Sequence, residues 1–171
     1  MNESIFPNES EYAPYYHTYI SKIKNEDLTK LLLNQIEEVR RYFEAKGEEK
    51  SLLAYEEGKW TGKEVLGHMI DTDRVMTFRA LCFARGEKAI LPGFDQDEYV
   101  ANSGSNEVPL NNLLEDFEMS RYALVSLFKT LPQSAYTRLG NANGYDVTVR
   151  ALFHIIAGHT EHHLRILKER Y

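Results

Sequence analysis

Four segments of this chain carry apolar residues at intervals of three and four, which is the period of an α-helix with one buried face. The predicted helices span residues 26–45, 62–85, 109–131 and 149–168. No internal repeat, low-complexity tract or interdomain linker interrupts residues 1–171. Helices of this kind bury their apolar faces against one another, so the pattern predicts an all-α fold, a four-helix bundle in a single domain.

The ends of the predicted helices carry their own signals. Thr61 and Glu64 have the spacing of a capping box, in which two residues satisfy early backbone N–H groups of a helix. Thr148 suits the N-cap of the last helix, whereas Gly47 and Gly86 follow helices and favour their ends. These signals indicate the helix boundaries independently of the hydrophobic pattern.

Two connections between the helices stand out. Residues 87–108 form a long link, and a link of this length inside a compact domain is often functional. It fits a bundle with one long crossover better than a bundle of four short hairpins. Residues 138–147 are rich in turn-forming residues and predict a loop, which leaves a short hairpin open. The tyrosines between residues 12 and 19 are expected to cover the surface of the bundle.

Charge and cysteine content exclude several classes of partner. The formal net charge is -6 at pH 7, so the chain has no electrostatic attraction to nucleic acid or to anionic membranes. The one cysteine, Cys82, precludes an intrachain disulfide and a cysteine-rich zinc site, and it favours a reducing compartment. No apolar run reaches the roughly 18–20 residues of a membrane span, and the N-terminus lacks the pattern of a secretory signal. We therefore expect a cytoplasmic protein.

The last predicted helix carries two histidines in the middle of its apolar face. At about 100° per residue, His159 and His163 lie within about 20° of the direction of Leu152. On the same count His154 falls on the opposite side and His162 on the flank. Imidazoles four residues apart on one helix can bind one ion together. Buried without a shared partner, they would leave polar nitrogens unsatisfied, and a cation resolves that.

His68 is the obvious third ligand, because it lies at the margin of the interior stripe of the second predicted helix, beside Thr72 and Arg79. Three histidines that leave one coordination position open are typical of a catalytic metal site rather than a closed structural one. Imidazole suits zinc, nickel and iron as well as copper, so the pattern predicts a divalent transition metal without identifying it. The alternative is that the histidines are hydrogen-bonded core residues that bind no metal.

Four other side chains near these histidines deserve an interpretation. Asp71 lies one turn from His68 and either orients it by a hydrogen bond or sits on a solvated flank. Arg79 either binds an anionic group of a substrate or forms a salt bridge to a neighbouring helix. Glu161 points away from the ligand face and is expected on the surface, and Cys82 is expected to be a packed thiol rather than a nucleophile.

Several motifs in this sequence resemble those of the DinB-like family. Residues 59–74, which begin Lys-Trp-Thr-Gly-Lys-Glu, are similar to the start of the second helix in that family. Residues 79–85 and 91–95 continue the likeness, and residues 148–163 resemble the closing motif. The resemblance extends over nearly the whole chain. It implies a four-helix bundle of up-down-down-up topology with a long connection between helices two and three.

The same resemblance implies a metal site formed by His68, His159 and His163, and a homodimer. The family includes metal-dependent hydrolases, S-transferases that use bacillithiol or mycothiol, and a maleylpyruvate isomerase. The leading hypothesis is therefore a metal-dependent enzyme that acts on a small-molecule substrate, either a hydrolase or a low-molecular-weight-thiol S-transferase. The alternative is a non-enzymatic metal- or ligand-binding helical bundle related to stress response, because a shared fold does not fix the reaction.

Overall fold

The computed structural model describes residues 5–23 and 27–171, and the predicted first residue of helix one, Glu26, lies outside these ranges. The described helices, in chain order, are α1 (His17–Ile20), α2 (Leu28–Ser51), α3 (Gly62–Ala84), α4 (Gln96–Ser103), α5 (Leu110–Thr130) and α6 (Val149–Arg170). Two short strands, β1 (Leu139–Ala142) and β2 (Tyr145–Thr148), precede the last helix. The four predicted helices correspond to α2, α3, α5 and α6, which confirms the all-α assignment. Among the described helices, none is both long and apolar enough to cross a membrane.

The helix ends follow the capping signals of the sequence. The Thr61 hydroxyl accepts from the Glu64 backbone N–H at 3.1 Å, and the Glu64 carboxylate accepts from the Thr61 N–H at 2.7 Å. The Thr148 hydroxyl accepts from the Ala151 N–H at 3.3 Å at the start of α6. Gly47 takes a positive φ of 75° inside α2, so the regular helix is interrupted there and one further turn follows.

The direction of three of the long helices follows from contacts at their ends. The Leu110 N–H, at the start of α5, donates to the carboxylate of Glu48 at the end of α2, at 2.7 Å. The two helices are therefore antiparallel. Lys63, at the start of α3, donates to the carbonyl of Asn106 just before α5, at 2.9 Å, so α3 and α5 run in the same direction.

The direction of α6 completes the topology. Gln35 donates to the Ala157 carbonyl and Tyr42 to the Leu167 carbonyl, each at 2.9 Å. A later residue of α2 thus contacts a later residue of α6, so the two helices run parallel. The order is up for α2, down for α3 and α5, and up for α6, which is the up-down-down-up bundle implied by the family resemblance.

The long link between α3 and α5 is more ordered than its sequence suggests. It contains α4, whose N-cap Asp95 accepts from the N–H groups of Asp97 and Glu98 at 2.9 and 3.1 Å. The sequence pattern did not predict this helix, since Val100 is its only buried residue and it has no apolar face. The link therefore crosses the bundle as a folded segment.

The loop predicted at 138–147 is the short hairpin that the pattern left open. β1 and β2 pair antiparallel, and Asn143 and Gly144 form the turn with φ of 55° and 79°. Leu91 of the long link lies beside this hairpin. Its backbone N–H donates to the Asn141 backbone carbonyl at 3.0 Å, and its carbonyl accepts from the Asn143 backbone N–H at 2.9 Å. The hairpin thus fixes one end of the link against the bundle.

A buried polar layer divides the bundle core into two apolar clusters. On each long helix, at least one buried polar residue lies between the residues of one cluster and those of the other, and one such residue per helix belongs to a connected group. These four residues, called the arginine cluster below, are Gln35, Asp73, Arg121 and Thr160. Arg121 contacts Asp73 at 2.5 and 3.2 Å, donates to Gln35 at 2.8 Å and also donates to the Thr160 hydroxyl. The layer is fully hydrogen-bonded around one guanidinium.

Candidate metal centre

Three histidines from two antiparallel helices meet beside the arginine cluster. His68 comes from the first half of α3, and His159 and His163 come from successive turns of α6. The Nε2 atom of His159 lies 3.0 Å from Nε2 of His68 and 3.0 Å from Nε2 of His163. The potential ligand atoms all lie within 4.8 Å of one another, and the residues are 3%, 4% and 9% exposed in chain order. We call these three residues the histidine cluster.

Hydrogen bonding alone does not satisfy the histidine cluster. A neutral imidazole carries one N–H, so a proton on Nε2 of His159 serves only one of its two neighbours. The Nδ1 atoms of His68 and His159 are buried without a hydrogen-bond partner among the described residues. The cluster thus buries more polar nitrogen than its own protons can pair.

The three imidazoles are neutral at physiological pH. Burial, followed by the charge of His162, lowers the pKa of His68 to about 4. Burial and the neighbouring imidazoles hold the pKa of His159 and His163 well below the usual range. Each ring can therefore offer a lone pair, which is the form of histidine that binds metals.

The donor set fits a divalent transition metal. Two nitrogens that share an ion at about 2.0–2.1 Å are separated by about 2.9–3.3 Å, depending on coordination geometry. The two Nε2 separations of 3.0 Å fall in this range. No described carboxylate or thiol belongs to the cluster, so the donor atoms that it could offer to an ion are imidazole nitrogens alone.

Aromatic rings cover the histidine cluster on two sides. Trp60 lies 4.9 Å from His68, and Tyr19 lies 5.3 Å from His159, between ring centroids. Tyr19 reaches this position because α6 has a glycine, Gly158, where α1 crosses it. A Cβ at Gly158 would collide with the Tyr19 carbonyl, so a larger residue would push α1 away.

Two cavities border the histidine cluster. The first, of about 180 Å³, borders His68 and His159, and the second, of about 390 Å³, borders His163. The first cavity is lined by residues from α1 and the turn just before it, from α3 and α6, and from the long link and the hairpin: Tyr15, Tyr16, Tyr19, His68, Thr72, Met76, Arg79, Gly93, Phe94, Gln96, Asn143, Ile155 and His159. The histidine cluster is thus bordered by space that a small molecule can enter.

The tyrosine segment has a different role from the one predicted. Tyr12 is buried, with 6% exposure, and is not a surface residue. Tyr15, Tyr16 and Tyr19 form part of the wall of the first cavity. No local sequence pattern indicates this position, because it depends on how the segment before α2 folds back onto α6.

His154 and His162 lie outside the histidine cluster. His154, predicted on the side away from the apolar face, is 2% exposed: the N-terminal segment covers it, and the Phe6 ring lies 5.0 Å away. Its Nδ1 donates to the Arg150 carbonyl at 2.7 Å, and burial lowers its pKa to about 4. His162 lies on the flank, as predicted, and its ring centroid is 5.4 Å from that of Tyr19 and 5.1 Å from that of His163.

The other predicted side chains divide into two groups. Asp71 does not contact His68, whose Nδ1 has no partner among the described residues, and instead borders a separate cavity with Arg74. Glu161 was expected on the surface, but it is half-buried and accepts from Gln35 at 2.7 Å. Cys82 is a partly buried thiol whose pKa burial raises, in agreement with a packing role. Arg79 alone among them lines the first cavity.

Comparison with known proteins gives three similarities. The sequence profile of the DinB superfamily matches residues 31–167. A protein of Oceanobacillus iheyensis named as a candidate metal-dependent hydrolase is 26% identical over 116 residues, which are 67% of this chain and 66% of the relative, just under two thirds of its length. The structure of YfiT from Bacillus subtilis, described as a probable metal-dependent hydrolase with an unusual four-helix bundle topology, superposes with a TM-score of 0.77 at 16% identity. The superposition covers 95% of this chain and 89% of YfiT, and at this identity it shows that the two proteins share a fold.

Proposed function

This chain belongs to the DinB superfamily, and on that premise we propose that it is a metal-dependent hydrolase whose ion is held by His68, His159 and His163. The proposal depends on one observation: the buried Nε2 atoms of His68 and His163 each lie 3.0 Å from Nε2 of His159, and the three rings have too few protons to satisfy them. The names of the O. iheyensis and B. subtilis proteins support the same reaction class.

The chain's own residues supply the surroundings of the reaction. When bound, a divalent ion supplies Lewis acidity for the attack of water on a scissile bond. The first cavity holds the substrate next to His68 and His159. Tyr19 and Trp60 keep bulk water from the outer faces of these two imidazole rings. The low pKa of the three imidazoles keeps them as ligands rather than as proton donors down to mildly acidic pH.

Elemental analysis of the purified protein tests metal binding. We expect about one zinc, nickel or iron per chain in the wild type, and loss of that metal in His68→Ala and His159→Ala. His162→Ala is the matched control, because this half-buried histidine touches the cluster without contributing an Nε2 atom to it. A wild type without stoichiometric metal, or a His159→Ala variant that retains it, would contradict the proposal.

The reaction is tested on the metal-loaded protein. Turnover of ester or amide substrates that stops in His159→Ala supports a hydrolase. The low-molecular-weight-thiol S-transferase and the non-enzymatic stress-related bundle remain predictions, and each has its own outcome: conjugation of a thiol to an electrophile, or metal without turnover. The homodimer also remains a prediction, which light scattering of the purified protein decides.

A further inference from the structure

One face of α3 runs along the first cavity from the histidine cluster to a buried arginine. His68, Thr72, Met76 and Arg79 follow one another at intervals of four, four and three residues, and all four line the cavity. At about 1.5 Å per residue, Arg79 lies about 16 Å along the helix from His68. The cavity thus has the histidine cluster at one end and a cation at the other.

Arg79 is a buried cation without a counter-ion. Its guanidinium donates to the Pro92 carbonyl at 2.7 Å, makes a 3.6 Å contact with the Met76 sulfur and lies 5.9 Å from the Phe94 ring. It is only 4% exposed, yet no described carboxylate lies within ion-pair distance, and no acidic residue lines the cavity. A buried charge of this kind is costly unless it is paired.

The other buried cations show how this protein normally treats such charges. Each of them forms an ion pair at 2.5 Å: Lys63 with Glu48, Arg121 with Asp73 and Arg150 with Glu11. Arg79 is the exception among the described buried cations, and it faces the first cavity. The missing partner is therefore expected to come from a ligand.

A second unpartnered group lies between Arg79 and the histidine cluster. The Thr72 hydroxyl is buried without a hydrogen bond, although the residue is 3% exposed and lines the cavity. Threonine inside a helix commonly donates to the carbonyl four residues earlier, as Thr160 does to Ile156 at 3.3 Å. Because Thr72 makes no such bond, its hydroxyl is available to a molecule in the cavity.

We propose that the first cavity recognises small substrates that carry a carboxylate, with Arg79 binding the carboxylate and Thr72 binding a polar group nearer the histidine cluster. This inference rests on the proposed function, whose substrate class it names. The rings of Tyr15, Tyr16 and Phe94 enclose the apolar body of the substrate. A single guanidinium, with one N–H already used by a carbonyl, matches one negative charge better than a phosphate dianion.

Binding of hippurate and of its neutral primary amide, hippuramide, tests the proposal. Both probes have an aryl ring and a central amide, and they differ only in the terminal carboxylate. By calorimetry we expect at least a tenfold preference for hippurate in the wild type, both metal-loaded and after chelation. Arg79→Gln should reduce the preference below twofold, whereas Arg74→Gln, an exposed arginine on the same helix, should leave it unchanged. Thr72→Val should lower the affinity for both probes several-fold.

The outcomes separate this inference from the proposed function. Metal content and the chelator arm report on the histidine cluster, whereas the hippurate preference of chelated protein reports on Arg79 alone. Equal affinities in the wild type, no binding of either probe, or an undiminished preference in Arg79→Gln would each overturn the proposal. Should Arg79→Gln fail to fold, Arg79→Lys replaces it, with an expected preference that is reduced but present because the charge remains.

Discussion

Two buried polar clusters lie side by side in this bundle, and they satisfy their polar groups in opposite ways. In the arginine cluster, one guanidinium contacts a carboxylate, an amide and a hydroxyl, one from each of the other long helices. In the histidine cluster, three neutral rings present their Nε2 atoms to one another. The first cluster pairs its polar groups internally, whereas the second leaves imidazole nitrogens unpaired, which is the deficit that the proposed ion would fill.

The difference arises within one step of the α6 helix. Thr160 and His159 are neighbours in sequence, and the rotation of about 100° per residue points them to different helices. Thr160 faces Arg121 of α5, inside the bundle, while His159 faces His68 of α3 at the edge of a cavity. A polar layer that crosses a core can therefore be structural on one side and open to a ligand on the other.

The largest effect on stability is expected when the guanidinium of the arginine cluster is removed by substitution. Arg121→Met leaves the fully buried Asp73 carboxyl without a partner, which we expect to cost about 3–5 kcal/mol of the free energy of unfolding in urea. The double variant Arg121→Met with Asp73→Leu should recover a good part of this loss, since it removes the stranded charge as well. A single variant as stable as the wild type would show that the cluster is not structural.

The sequence predicts those parts of the two clusters whose residues lie on or beside the apolar stripes of the long helices. The family resemblance drawn from the motifs is confirmed by the match over residues 31–167. The meeting of His159 with His68 followed from helical periodicity, because both positions fall on or beside an apolar stripe. The same periodicity carries a signal for the arginine cluster: Arg121 lies on the stripe of α5 and Asp73 on that of α3.

The remaining features depend on tertiary packing. Nothing in the local pattern of Tyr15 or Tyr19 indicates that their segment folds back over α6 and walls a cavity. The burial of His154 has the same origin, since the helix side opposite the bundle core is covered by the N-terminal segment. A helical wheel assigns such a side to solvent, and only the position of a separate segment shows that it is buried.

Removal of metal should affect the histidine cluster alone. If the ion binds only the folded chain, free metal at 100-fold above its dissociation constant stabilises the protein by about 3 kcal/mol. We expect a chelator to lower the melting temperature of the metal-loaded wild type and to leave that of His159→Ala unchanged. Equal melting temperatures with and without chelator, in protein that contains metal, would break the distinction between the two clusters.

His154 differs from the histidine cluster, because it is a buried histidine that already has a hydrogen-bond partner. Burial lowers its pKa from 6.5 to about 4, so the unfolded chain takes up a proton at a higher pH than the folded chain. Its contribution to stability is complete above about pH 6.5 and is lost as the pH falls towards 4. Between pH 7 and 5, in the presence of chelator, the wild type should lose about 2 kcal/mol more than His154→Gln. Parallel pH profiles of the two proteins in urea would contradict this.

The smallest expected effect tests the boundary between the clusters at adjacent residues. Thr160→Val keeps the side-chain shape but removes one of the acceptors of Arg121, which we expect to cost about 1–2 kcal/mol in urea denaturation. Because Thr160 contributes no ligand atom, the variant should retain one metal per chain, while His159→Ala loses it. A Thr160→Val protein that lost its metal would mean that the arginine cluster positions the histidines, and the two clusters would then have to be treated as one site.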